Sequence, residues 1–320
     1  KNERLTAQDK ARKLLFPMYR NPFVNEPEAE GLSRSTANTH IINHRNMLLC
    51  LKEDSPPSAI DLLTLDIIDP VYTFDGQLNS KTFTAHPKVD SLTGNIVAFG
   101  YESEGHGSNV VTAFEITPGG KKVWEAKVQV PYVGMLHDFA VTQNYIVLYV
   151  IPLAIDHEQM ARGGIHWSWD NSKGTYFGAF RRDGNGSDIR WFEGPTRSAT
   201  HVMGAFDDKD RIYVDVEMSL SNPFPFMPMR DGSNWDPMKG TSHITRLSAN
   251  MKGRNASGYE MEQLAPWTGA LPRQDDRYNT QPYRYGFLGT RDINAADPRQ
   301  AYGGYVRFDH STGKQTFWNA

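Results

Sequence analysis

The sequence predicts an all-β fold, and within that class a β-propeller. Three observations predict it. Strand-like runs rich in β-branched and aromatic residues recur along the whole chain. Tight-turn signals separate them at short intervals. The alternation of strands with helices that marks a parallel α/β sheet does not occur.

Taken in order, residues 3–16 (ERLTAQDKARKLLF) have the charged, Ala/Leu/Lys-rich character of a helix. Strand runs follow at 46–52 (NMLLCLK), 96–101 (IVAFGY), 110–116 (VVTAFEI), 122–130 (KVWEAKVQV), 145–151 (YIVLYVI), 176–181 (YFGAFR), 189–192 (IRWF), 212–216 (IYVDV) and 305–308 (YVRF). Between them lie turn signals such as Asp90-Ser-Leu-Thr-Gly94, Thr117-Pro-Gly-Gly120, Asp183-Gly-Asn-Gly186 and Asp309-His-Ser-Thr-Gly313. Strand–turn–strand units every few tens of residues read as propeller blades. A β-sandwich is the structural alternative, and the number of runs favours the propeller. Two stretches, 152–175 and 218–242, read as long loops. The Pro-Phe-Pro-Phe-Met-Pro-Met string at 223–229 is either an apolar lid or a loop packed on the fold.

Composition excludes several function classes. The 320 residues carry 34 Lys+Arg against 37 Asp+Glu, a net charge of −3. That balance offers no electrostatic case for nucleic acid or an anionic membrane surface. No apolar run approaches the roughly 20 residues of a membrane span. Cys50 as the sole cysteine excludes an internal disulfide framework and fits a reducing, cytoplasmic compartment. The opening KNERLTAQDK lacks both a signal-peptide core and an initiator methionine, which reads as a processed or partial chain.

Ten histidines are present, none in HExxH or close HxH spacing, and there is no cysteine pair for zinc. Spacing alone makes a weak metal site. Three of them share a context. His86 stands in Phe83-Thr-Ala-His-Pro-Lys-Val-Asp90, His137 in Gly134-Met-Leu-His-Asp-Phe-Ala-Val141 and His201 in Ser198-Ala-Thr-His-Val-Met-Gly-Ala-Phe206. Each lies at the edge of a β element among apolar or small residues. The separations, 86 to 137 and 137 to 201, are of the order of one blade plus loop. A propeller brings such positions to its axis, where neutral imidazoles suit iron(II) that must admit dioxygen.

With these strings the sequence resembles the carotenoid cleavage oxygenase family, and within it the stilbene-cleaving branch. The resemblance runs from about Leu15 to Trp318. It is carried by Tyr19-Arg-Asn-Pro22, Ser35-Thr-Ala-Asn-Thr39, Leu51-Lys-Glu-Asp-Ser-Pro56, Thr84-Ala-His-Pro-Lys-Val-Asp90, Leu136-His-Asp-Phe139, His201-Val-Met-Gly-Ala-Phe206 and Gln281-Pro-Tyr-Arg-Tyr-Gly286, in that order. It implies a seven-bladed propeller with a cap of helix and loop, and an Fe(2+) held by four histidines. His86, His137 and His201 match the first three of these. It implies outer glutamates that hydrogen-bond the ligand histidines, and Glu53 matches the first of them. Tyr19 and Lys52 match the pair that binds a stilbene's 4′-hydroxyl, and Thr39 matches a threonine whose methyl limits access to the metal's open side.

The resemblance also defines departures. The family's fourth histidine falls beyond Ala320, and neither His243 nor His310 reads as a substitute. A family glutamate is replaced by Ala270, so one ligand is expected to lack its usual carboxylate partner unless another group replaces it. Residues 1–320 are expected to form a single propeller domain short of the family's N- and C-terminal segments. The expected activity is iron(II)-dependent cleavage of the interphenyl C=C bond of a phenolic stilbene by dioxygen, giving two aromatic aldehydes. Cleavage of a carotenoid or apocarotenoid, or a non-catalytic propeller remnant, are the alternatives.

Overall fold

The computed structural model describes residues 2–252, 258–290 and 303–319. The chain divides into two compact units, one of Lys1–Pro87, Thr93–His137 and Ala154–Ser168, the other of Lys88–Leu92, Asp138–Leu153 and Trp169–Ala320.

The first unit opens on a helix, Glu3–Ala11, capped by the Asn2 side chain on the Leu5 N–H. It is shorter than the 3–16 that composition predicts. Arg12 turns into the left-handed region at φ 53° and ends it. The reason is burial. The helix buries none of its residues, whereas Leu15 and Phe16 beyond it are almost wholly covered and pack with Ala29. Extending the helix would have carried them away from that cluster.

Strands His40–His44, Met47–Leu51, Ser58–Asp61 and Ile67–Asp69 form an antiparallel sheet in chain order. Arg45 and Asn46, at φ 52° and 60°, make the two-residue turn whose twist suits a hairpin. A second meander runs through Ile96–Tyr101, Val110–Ile116 and Lys122–Gln129. Leu49, Leu51, Phe74, Phe83, Ala98 and Phe114 meet in one buried cluster between them. Burying each such side chain contributes roughly 1.5–3 kcal/mol. Within 152–175 a short helix, His157–Ala161, replaces part of the expected loop, because Asp156 caps it on the Gln159 N–H.

The second unit carries Phe139–Val141, Tyr145–Ile155, Thr175–Arg181 and Arg190–Gly194 as one antiparallel path. Then follow seven strands, each paired with its neighbour in sequence: Ser198–Asp208, Arg211–Ser219, Ser242–Asn250, Glu260–Gln274, Tyr285–Thr290, Gly304–Asp309 and Lys314–Asn319. Glu260–Gln274 serves two partners. Its first part pairs with Ser242–Asn250 and its last part with Tyr285–Thr290. Pro266 and Pro272 made this stretch unreadable as a strand. Both fall inside register shifts, where a missing N–H costs no ladder bond. The 223–229 string is split: Met227 is buried, while Phe226 is exposed at its edge.

Candidate functional site

His137 lies in the short link between strands Gly134–Met135 and Phe139–Val141. Its Nδ1 donates to Oε1 of Glu53, which stands 84 residues earlier in the turn after strand Met47–Leu51. Glu53 is buried, and its other oxygen accepts the Tyr101 hydroxyl at 2.6 Å. Burial alone would raise the Glu53 carboxyl. His137, the Tyr101 hydroxyl and Arg20 outweigh it and hold it down to about 2. An ionised carboxylate on Nδ1 fixes the tautomer and makes Nε2 the nitrogen that could take a metal. That Nε2 stands 3.2 Å from Nε2 of His86. Two imidazole nitrogens at metal bonds of about 2.1 Å and a right angle would be about 3.0 Å apart, so the spacing suits adjacent ligands on one ion. His86 itself sits in the loop before strand Lys88–Val89. His40, which sequence reading passed over, lies beside it, with ring centroids 6.2 Å apart and its Nδ1 2.9 Å from the Ala85 carbonyl.

In the second unit His201 repeats the device by another route. It sits on strand Ser198–Asp208, where the pairing with Arg211–Ser219 slips between Ala199 and Val202. A bulge re-aims side chains. Here His201 Nδ1 meets Glu217 Oε2 across the hairpin at 2.8 Å. Glu217 is buried. His201 thus has a carboxylate partner in Glu217. Sequence reading missed Glu217 because nothing marks one strand glutamate before the bulge sets its register.

Asp138, next to His137, is almost wholly buried. Its Oδ1 takes the Lys88 ammonium at 2.7 Å and its Oδ2 the Val202 N–H at 2.9 Å. Lys88 is two residues from His86, and Val202 directly follows His201. Within the second unit one carboxylate therefore ties Lys88 to the strand that carries His201.

The two residues expected to bind a phenol also meet. Lys52 Nζ lies 5.7 Å from the centre of the Tyr19 ring. Burial, and then the Glu53 charge, push the Tyr19 hydroxyl upward, so it stays protonated and able to donate. Lys52 and Glu53 are consecutive, so one turn carries both a phenol-binding candidate and an outer carboxylate. Thr39 is held by its N–H on the Leu51 carbonyl at 3.1 Å, with its side chain exposed. No helix among the described residues is long and apolar enough to cross a membrane.

Comparison with known proteins gives a consistent result. A model of the retinal pigment epithelial membrane protein family matches residues 1–320. The lignostilbene-alpha,beta-dioxygenase isozyme III of Sphingomonas paucimobilis is 35% identical over 320 residues, covering 97% of this chain and 65% of that protein. Carotenoid cleavage oxygenase 1 of Neurospora crassa is 38% identical over 327 residues, covering 98% and 62%. The crystal structure of the Pseudomonas brassicacearum lignostilbene dioxygenase superposes with a TM-score of 0.94 at 37% identity, covering all of this chain and 68% of that one. The chain thus spans a little under two thirds of the curated relatives' length.

Proposed function

We propose, from the premise that this chain belongs to the carotenoid cleavage oxygenase family, the family of the retinal pigment epithelial membrane protein, that it is part of an iron(II) dioxygenase acting on phenolic stilbenes. The class is an all-β propeller enzyme class, and its relatives are oxygenases that cleave C=C bonds. We further take residues 1–320 as one propeller domain and the setting as cytoplasmic, in keeping with the single cysteine.

The observation that carries the reading is the repeated pair, His137 on Glu53 and His201 on Glu217. A carboxylate on Nδ1 is how proteins orient a metal-bound histidine. His86, His137 and His201 would hold the ion. Neutral imidazoles without a directly bound carboxylate suit iron(II) with positions left for dioxygen. Iron so bound would supply the capacity to activate dioxygen.

The protein's own residues would do the rest. Tyr19 donates its hydroxyl proton toward the substrate's phenolic oxygen, and Lys52 places a positive charge beside it. Both favour the phenolate-like form, which pushes electrons toward the alkene. Thr39 would narrow the approach to the metal. The net reaction adds one O2 across one C=C bond and gives two aldehydes.

Lys52 and Tyr19 also discriminate between substrates, since a carotenoid offers no phenol. The test pairs resveratrol with an apocarotenoid on the parent protein and its Lys52→Ala variant. Resveratrol turnover should fall on the order of 100-fold in the variant, as for loss of a charged transition-state contact. Undiminished resveratrol turnover removes Lys52 from the mechanism. Turnover of the apocarotenoid alone favours the second reading, to which the name of the Neurospora relative points.

A further inference from the structure

Glu53 is the near end of a longer buried chain. The Tyr101 hydroxyl that donates to Glu53 itself accepts from Arg20 Nη1 at 2.8 Å. Arg20 Nη2 pairs with Glu102 Oε2. Oε1 of Glu102 takes the Gly107 N–H at 2.6 Å and lies 3.1 Å from His166 Nε2. Arg20 and Glu102 are 6% and 2% exposed at their side chains, and Tyr101 and His166 are 2% and 0% exposed. The Arg20 guanidinium also lies against two aromatic rings, 4.9 Å from the Tyr101 centre and 5.4 Å from that of Trp167.

Two features make this more than a packing detail. First, a tyrosine hydroxyl has one proton. Because Arg20 donates to Tyr101, that proton is committed to Glu53, and the carboxylate keeps one oxygen for His137. Second, Arg20 adopts a left-handed backbone at φ 53°, an uncommon conformation for a residue with a Cβ. It follows Tyr19 directly, and the Tyr19 carbonyl accepts the His166 N–H at 3.1 Å. The buried guanidinium therefore holds open the turn that presents the Tyr19 ring to Lys52.

Glu102, His106 and His166 have ligand-type atoms within 4.8 Å of one another. A second cation there would have to displace Arg20 from Glu102, and a buried arginine freed of its carboxylate is costly. The trio is the far anchor of the chain.

We propose that Arg20, acting through Tyr101, is a positioning residue that ties the phenol anchor to the metal's outer carboxylate. Through its side chain it orders Glu53 on His137, and through its backbone it sets Tyr19. This rests on the metal reading above. It predicts that removing one oxygen atom, two bonds away from the histidine, weakens metal binding.

The test is cobalt(II) titration of the chain, followed by its visible ligand-field bands, with circular dichroism fixing the folded fraction. Tyr101→Phe should bind cobalt on the order of 10-fold more weakly than wild type at equal folded fraction, with altered band intensities. Arg20→Lys keeps a charge but not the fork, and should show the same loss. Glu53→Gln serves as the reference. If Glu53→Gln weakens binding and Tyr101→Phe does not, the proposal falls while the metal reading stands. If His137→Ala and Glu53→Gln also leave cobalt binding intact, the metal reading falls with it. Unfolding of both Tyr101→Phe and Arg20→Lys, with unchanged affinity in the residual folded protein, also overturns the proposal and leaves a purely structural role.

Discussion

The two histidine–glutamate pairs look alike but are built differently. In the first unit, Glu53 reaches His137 across 84 residues, and each of its oxygens takes a donor, one from His137 and one from Tyr101. In the second, Glu217 reaches His201 across one hairpin, and its other oxygen takes no side-chain donor among the described residues. The first pair is held by a buried network that includes a charged arginine. The second is held by strand register, with Asp138 fixing the backbone at Val202. The same orientation of an imidazole can therefore be secured by hydrogen bonds behind the carboxylate or by the ladder beneath it.

Breaking the register side should cost most. Asp138→Asn leaves the Lys88 ammonium, only 17% exposed, without its counter-charge and weakens the hold on Val202. A loss of about 3 kcal/mol in urea unfolding is expected, as for breaking a buried ion pair. A change below 1 kcal/mol would mean that the ladder alone holds His201.

Acid should strike the network side. Burial, with Arg20 adding and Glu102 opposing, pushes His166 down to about 4. Its unfolded value is near 6.5. The native state thus binds this proton less readily than the unfolded state. Its contribution, up to about 3 kcal/mol, is complete above pH 6.5 and is lost as pH falls toward 4. Glu102, held down to about 2, adds a loss only at lower pH. The unfolding midpoint should decline across pH 6.5 to 4, and His166→Gln should flatten that decline. An equally steep decline in the variant would assign it to other groups.

Metal affinity then separates the pairs directly. Glu53→Gln should raise the cobalt(II) Kd on the order of 100-fold, because it disturbs a carboxylate clamped from both sides. Glu217→Gln should raise it on the order of 10-fold, since the bulge still aims His201. Equal losses in the two variants would show that the donors behind Glu53 add nothing to the histidine's orientation.

Legibility in the sequence followed the range of each interaction. Runs such as Ile96–Tyr101 and Val110–Ile116 read as strands because their own side chains prefer a pleated, buried surface. Glu260–Gln274 did not, since its pairing with Ser242–Asn250 and Tyr285–Thr290 and not its composition makes it a strand. Lys52, Tyr19, Glu53 and the three histidines were legible only through motif strings in order. His40 and Glu217 were legible in neither way.

What the sequence alone determined was local: an all-β chain, its turns, and the order in which histidines, Lys52 and Glu53 arrive on the ends of β elements. Those follow from backbone preference and side-chain chemistry, which each residue carries with it. What only the tertiary structure decided was partnership. Glu217 serves His201, because a one-residue slip in a ladder changes which side chains share a face. Arg20 rather than solvent backs Glu53, because a buried guanidinium needs partners and finds them in the Glu102 carboxylate and the Glu53-bound Tyr101 hydroxyl.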